Sequence, residues 1–272
     1  METANLSLIL RSWAWPPLAV LGLATVAAAY AYAFYHFHQH GWLARLRRRG
    51  LIRSYQPWCF AGGLLALALA LLSPVEALSD WLFVAHMAQH LLIVMVAPPL
   101  LLLGLPAPLA RWFVMESRLR GVLEWLTHPV LAFALYNANL LLWHLPAAYQ
   151  SALTNAPIHD LQHALFFYTA VLYWWRVIDP THGWFSLWQW SPAKWLYLLV
   201  AAPPSYILGS ILWANNRVLY PWYAAVPRLG GLSALEDQHY AGLLMWGHGW
   251  MFLMASMVVF YSWYNPQTEQ LE

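Results

Sequence analysis

Charged residues are scarce in this chain of 272 residues. Asp, Glu, Lys and Arg make up 9% of it and hydrophobic residues 61%, whereas a soluble domain carries about 25% charged residues. This shortage excludes an ordinary soluble globular protein. The net charge of +2 also excludes the strongly basic surface by which proteins bind nucleic acid. We therefore predict a membrane protein that has membrane lipid, and no nucleic acid, among its partners.

Cysteine is almost absent as well. The single residue, Cys59, excludes an internal disulfide framework and a cysteine-based zinc or iron–sulfur site. The first residues lack the charged start and the small-residue cleavage site of a removable signal peptide. We expect the first apolar segment to act as its own insertion signal.

Apolar runs of the length that crosses a bilayer, about 20 residues, are abundant. They predict seven transmembrane helices, at residues 16–37, 55–73, 81–103, 128–145, 159–178, 195–213 and 240–263. The loops between them are short, so residues 1–272 are predicted to form a single seven-helix transmembrane domain, an all-α polytopic membrane bundle. The consecutive prolines of APPL (97–100) and APPS (202–205) predict a kink or an unwound turn in two of these helices.

Lys and Arg predict the orientation of this bundle, because cytoplasmic loops are enriched in them. With the N-terminus outside and the C-terminus inside, three of the 13 basic residues lie on the outer side, and the others lie inside: Arg45, Arg47, Arg48, Arg49, Arg53, Arg111, Arg118, Arg120, Arg176 and Lys194. We therefore predict a multi-pass protein with its N-terminus out.

Two histidine pairs with the same spacing, HMAQH (86–90) and HDLQH (159–163), lie in these apolar runs. Residues four apart share one face of a helix, so each pair presents two imidazoles together. Ionisable groups within the hydrocarbon layer are costly and mark functional sites, and imidazole is the commonest metal ligand. In the predicted orientation seven histidines lie at or below the outer face, and we predict them as metal ligands: His86, His90, His144, His159, His163, His239 and His248.

The surroundings of these histidines favour copper, as Cu(I). Met87 adjoins the first pair, and Met245 and Met251 lie about one turn on either side of His248. Imidazole and thioether ligands suit copper better than magnesium, calcium or manganese, with zinc or iron next. A purely structural interpretation, in which the histidines form hydrogen bonds between helices, remains open.

Two groups of polar residues accompany the predicted site. A glutamine directly precedes a histidine in three places, and we expect each to orient a ring nitrogen: Gln89, Gln162 and Gln238. Carboxylates gather at the same face and are expected to attract cations: Asp80, Asp160, Glu236 and Asp237.

Four stretches, in this order, carry a family resemblance: VAHMAQHLLIVMVAPPLLLLGLP, LLLWHLPAAYQSAL, IHDLQHALFFYTAVLYWW and ALEDQHYAGLLMWGHGW. From about residue 55 to 263 the chain resembles the seven-helix CtaG family of cytochrome c oxidase assembly factors, which are linked to caa3-type oxidases. The resemblance implies a non-enzymatic role, in a bacterial cytoplasmic (inner) membrane, in maturing a haem-copper oxidase, with copper supply as the suspected task. It extends to His86, His90, His144, His159 and His163, with Asp237 and Gln238; His239 and His248 depend on their predicted depth.

The sequence thus predicts a metallochaperone that binds copper in the outer half of the membrane and passes it to a haem-copper oxidase subunit. Shallow ligands (His159, His239, His144) are expected to receive the ion and deeper ones (His90, His163, His248) to hold it. Three alternatives stay open: a membrane di-iron oxygenase, a bis-histidine haem protein and a metal-free assembly scaffold. The oligomeric state also stays open.

Overall fold

The computed structural model describes residues 11–115, 120–181 and 191–268. Every regular element within these ranges is helical, which confirms the all-α prediction. Arg118, counted above on the inner side, lies outside the described residues. The elements are α1 (Pro17–Gln39), α2 (Trp42–Arg48), α3 (Gln56–Leu71), α4 (Pro74–Ser79), α5 (Phe83–Leu91), a π-helical turn (Leu92–Val96), α6 (Ala97–Gly104), α7 (Ala107–Met115), α8 (Arg120–Leu126), α9 (Pro129–Trp143), α10 (Pro146–Thr154), α11 (Ala156–Ile178), α12 (Ser191–Ala214), α13 (Pro221–Ala225) and α14 (Ala234–Thr268).

Each of the seven segments predicted from hydropathy contains a helix. Four stretches of the described chain are both long and apolar enough to cross a membrane: Pro17–Gln39, Phe83–Gly104, Pro192–Ala214 and Ala234–Val259. The pair α9 and α10, bent by 75° at the break between them, makes a fifth if it is one span. Helix α3, with 16 residues, is apolar but shorter. The chain is therefore a membrane protein with at least four candidate spans.

Glycine allows α12 and α14 to pack with their backbones in contact. A Cβ atom added to Gly242 on α14 would lie 2.7 Å from the carbonyl oxygen of Gly209 on α12. A Cβ atom added to Gly209 would likewise lie 2.7 Å from the carbonyl oxygen of Gly242. Such close approach is typical of helix pairs in membranes, where packing replaces the hydrophobic drive between helices. It sets the position of α14, whose other face contacts α5.

The prolines of APPL do not interrupt their helix. Pro98 has no N–H to donate to the carbonyl of Val94, four residues earlier, and the π-helical turn Leu92–Val96 directly precedes it. The indole Nε1 of Trp174, on α11, donates to the Val94 carbonyl at 3.1 Å. The carbonyl freed by proline thus attaches α11 to α5 and α6. In α12 the helix likewise continues through Pro203 and Pro204, so no unwound turn forms there. At APPL the local departure from the α-helix is the π-helical turn, and the predicted kinks stay a prediction.

Candidate metal centre

Four histidines from two helices lie side by side in the interior. His86 and His90 come from α5, and His159 and His163 from α11. The ring centroids are 4.3 Å apart within the first pair and 4.1 Å within the second; between the helices they are 5.4 Å (His86–His159), 6.4 Å (His86–His163) and 5.3 Å (His90–His163). We call these residues the four-histidine cluster. The sequence predicted that each pair shares a helix face; the structure shows that the two faces meet.

The cluster is buried, and its ring nitrogens are short of partners. His86 is 1% exposed and His90 and His163 are 7% exposed, whereas His159 is half-buried. Among the described residues, both ring nitrogens of His86 and of His90, and the Nε2 atoms of His159 and His163, have no hydrogen-bond partner. A buried polar atom without a partner costs about 1–3 kcal/mol. So many in one place indicate a site that binds a ligand by its nitrogens.

The ring positions suit one tetrahedral ion. With nitrogen–metal bonds of about 2.0–2.1 Å, the centroids of two bound imidazoles lie about 5 Å apart, close to the spacings of the four-histidine cluster. Within the described chain, however, no group of three His, Cys, Asp or Glu side chains is arranged to hold a metal ion as the side chains stand. The cluster brings four imidazoles together, and a metal ion at its centre would require the rings to rotate about their side-chain bonds.

A cavity adjoins the four-histidine cluster and shares His90 with it. It has a volume of about 30 Å³, and besides apolar side chains its lining includes His90, His144, His248, Met87 and Met245. We call it the methionine cavity. Two further predicted ligands, His144 and His248, therefore lie together, and His144, predicted to be shallow, is buried at 7% exposure.

Hydrogen bonds hold the rings of His144 and His248 in place. His144 Nδ1 donates to the carbonyl of Leu140 at 2.7 Å, and its buried Nε2 has no partner among the described residues. A neutral imidazole bonded in this way presents the Nε2 lone pair, as metal-ligating histidines do. His248 Nε2 lies 2.8 Å from the hydroxyl of Tyr136, on α9.

His239, the seventh predicted ligand, lies elsewhere. Its ring is half-buried at the start of α14, and Nε2 donates to the carbonyl of Asn215 at the end of α12, at 3.2 Å. No ring contact joins it to the four-histidine cluster within the described ranges. In this structure His239 therefore forms a hydrogen bond between two helices, as the purely structural interpretation of the histidines expects.

Two of the three glutamines that precede histidines bind other groups and do not orient them. Gln89 donates to the carbonyl of Ala70 at 2.9 Å and to the carboxylate of Glu76. Gln238 binds the segment after α12: it donates to the carbonyl of Leu212 and accepts from the backbone of Leu219. The side chains of neighbouring residues on a helix point in directions about 100° apart. A glutamine that directly precedes a histidine therefore points away from the helix face on which the histidine lies. For Gln162 the structure shows only a buried amide oxygen without a partner among the described residues.

Asp237 is also structural, not a surface charge that attracts cations. It is fully buried on α14, and its two oxygens accept from the backbone N–H groups of Phe83 (2.9 Å) and Val84 (3.0 Å) at the start of α5. The residue before α5, Leu82, has no side chain able to cap it. Asp237 thus caps the helix that carries His86 and His90, and Arg228 donates to the same carboxylate at 2.9 Å. Local signals could not reveal this cap, which joins residues 154 positions apart.

Tyr149 and Tyr136 are neighbours of the site that the histidine spacing could not predict. Tyr149, on α10, is 1% exposed, and its ring centroid lies 5.2 Å from that of His86 and 6.2 Å from that of His144. Tyr136 contacts His248. The only sequence signal for either is a tyrosine within an apolar run, which is more often simple packing.

Glu76, on α4 outside the candidate spans, predicts a pH effect. Burial raises its pKa from 4.5 to about 7; Asp80 and Asp160 also raise it, while the hydrogen bond from Gln89 lowers it. The fold thus favours the protonated carboxyl, and this stabilising contribution is lost as pH rises through about 7. Between about pH 6 and pH 8 the wild type should lose more stability than Glu76→Gln, which keeps an acceptor for Gln89 and does not ionise. Thermal unfolding in detergent at both pH values checks this; parallel curves for the two proteins would contradict it.

Comparisons with known proteins identify a family for this chain. Residues 40–266 match the model of a family described as cytochrome c oxidase caa3 assembly factor (Caa3_CtaG). Two mycobacterial proteins are similar to the chain: uncharacterized protein Mb0105 of Mycobacterium bovis and uncharacterized protein MT0111 of Mycobacterium tuberculosis. Each is 26% identical over 231 residues, which cover 75% of this chain and 33% of the relative. The chain therefore spans about a third of the length of these curated relatives. No solved structure matches it.

Proposed function

The chain belongs to the cytochrome c oxidase caa3 assembly factors, and from this premise we propose that it binds copper at the four-histidine cluster and delivers it to the copper centre of the oxidase. The single observation that carries the proposal is the meeting of two histidine pairs, from α5 and α11, whose buried ring nitrogens are without partners among the described residues. An assembly factor for a haem-copper enzyme has a reason to bind copper, and neutral imidazoles suit Cu(I).

The proposed topology has seven spans in a bacterial cytoplasmic membrane, with the N-terminus outside. It adds α3, α9 with α10, and α11 to the apolar helices α1, α5 with α6, α12 and α14. The basic residues of α2 and its flanks then lie inside, as cytoplasmic loops require. This topology places the four-histidine cluster in the outer half of the membrane, on the side from which copper would arrive.

The exposure of the cluster suggests the order of ligand exchange. His159 is half-buried, and Asp160 beside it is exposed and able to attract a cation; His163 and His86 are buried. We propose that His159 receives the ion and that the buried rings then hold it. Neutral ligands allow the ion to leave for an oxidase subunit, because its release from the four histidines does not break a buried pair of opposite charges.

Copper binding to the purified chain tests this function. The triple variant His86→Ala, His90→Ala, His163→Ala should bind about one Cu(I) ion per chain fewer than the wild type, because it removes three of four nitrogen ligands. Elemental analysis after anaerobic loading and desalting measures the difference. Replacement of His36, His38 and His40, an exposed to half-buried trio at the end of α1, is the matched control and should leave copper content unchanged. Equal copper content in all three proteins would refute the site.

The same purified protein distinguishes copper binding from the three alternative functions. A bis-histidine haem protein would show a Soret band, and a di-iron oxygenase would retain iron. A metal-free scaffold would bind none of them.

A further inference from the structure

The methionine cavity is distinct from the four-histidine cluster in its ligands. It lies between α5, α9, α11 and α14, and its polar atoms belong to three histidines, two methionines and Tyr136. A volume of about 30 Å³ accommodates roughly two water-sized particles, since about 10–15 Å³ is needed for one. The space is therefore large enough for a single ion.

The chemistry of the lining selects a soft ion of low charge. Met87 and Met245 contribute thioethers, which prefer Cu(I) among biological metals. No carboxylate is among the residues that line the cavity, so the charge of a bound ion would stay uncompensated. The cost of burying a charge grows with its square, which makes a divalent ion about four times as expensive as a monovalent one.

His144 supplies a ligand that is already oriented. Its Nδ1–H bonds to the Leu140 carbonyl, and its Nε2 lone pair is buried and without a partner among the described residues. His90, whose two ring nitrogens are both buried without partners, borders the cluster on one side and the cavity on the other. A neutral imidazole offers one lone pair at a time, so His90 can bind an ion in either site but not in both.

We propose that the methionine cavity is a second binding site for a soft monovalent cation, held by His144, Met87 and Met245, with His90 passing between this site and the four-histidine cluster. The proposal rests on the proposed function in that the same cargo occupies both sites. The cluster is the site reached first, through half-buried His159, and the cavity is the more secluded site.

Silver(I), a redox-stable probe for soft monovalent cations, tests the second site in the full-length chain. The wild type should bind about two Ag(I) ions, and Met87→Leu/Met245→Leu about one, because leucine fills the same volume without offering sulfur. Met254→Leu, an exposed methionine of the same helix as Met245, is the matched control and should keep both ions. X-ray absorption of the Cu(I)-loaded wild type should show sulfur neighbours, which the double variant should lack.

The possible results separate the two proposals. One ion with nitrogen neighbours only, unaffected by the double leucine variant, would overturn the second site and leave the proposed function intact. One ion with sulfur neighbours that survives His159→Ala/His163→Ala but not the leucine variant would support the cavity and overturn the cluster as the holding site. No bound Ag(I) or Cu(I) in the wild type would overturn both.

Discussion

Cells of a bacterium with a caa3-type oxidase are expected to lose oxidase activity when their own assembly factor is replaced by the quadruple alanine variant of His86, His90, His159 and His163. The loss should be at least about tenfold, since altering the groups behind metal ligands already weakens metal sites 10–100-fold, and this variant removes the ligands themselves. Oxygen uptake by isolated membranes and the copper content of the purified oxidase measure the effect. Wild-type copper and activity in cells with the variant would show that assembly does not depend on the cluster.

Added copper distinguishes delivery from scaffolding. If the four-histidine cluster raises the local supply of copper, an excess of copper in the medium should restore much of the oxidase activity in the quadruple variant. A scaffold damaged by the substitutions would not respond. The variant with alanine at His36, His38 and His40 is the control, because it removes histidines at the end of α1, on the other side of the proposed membrane topology, and leaves the cluster unchanged.

Helix positions were predictable because hydropathy records burial in lipid or protein without needing to know the neighbour. Each of the seven predicted segments contains a helix. Only four helical stretches of the described chain are long and apolar enough to cross a membrane, or five if α9 and α10 form one span. The reason is visible in α11, which has 23 residues and is absent from the four single-helix candidates. It carries Asp160, Gln162 and the histidines of the site, and these lower its apolar character. A helix that bears a polar site loses part of the signal that identifies it as a span.

The sequence predicts which histidines share a helix face, but it does not predict which helix faces meet to form the candidate site. The spacing of His86 and His90, and of His159 and His163, requires each pair to share a face. That α5 and α11 turn these faces to each other depends on contacts such as the bond from Trp174 to the carbonyl that Pro98 leaves free. His239 was grouped with the other histidines by its predicted depth alone, and its place beside Asn215 follows from how α14 packs on α12. Contacts of this kind join residues far apart in sequence and leave no local pattern.

Asp237→Ala is expected to have the largest effect on stability of any single substitution described. The carboxylate accepts from two backbone N–H groups at the start of α5 and from Arg228. Alanine leaves both backbone donors without their cap and removes the ion pair, although Arg228 keeps its bonds to the carbonyls of Tyr223 and Leu232. Loss of a helix cap costs about 0.5–2 kcal/mol and loss of hydrogen bonds to a charged group about 1.5–3 kcal/mol. These contributions overlap, so the free energy of unfolding should fall by about 2–4 kcal/mol.

The same substitution should weaken copper binding, because His86 lies one turn from the start of α5 and its position depends on how that turn is held. Asp237→Asn, which keeps one acceptor and loses the charge, should lie between alanine and wild type. The neighbouring Glu236→Gln removes an exposed carboxylate but keeps an acceptor for Ser233, as a capping box allows, and should match the wild type. Thermal unfolding in detergent, with copper affinity measured well below the transition, gives both quantities. An Asp237→Ala protein as stable and as tight in binding as Glu236→Gln would mean that α5 is held by its packing alone.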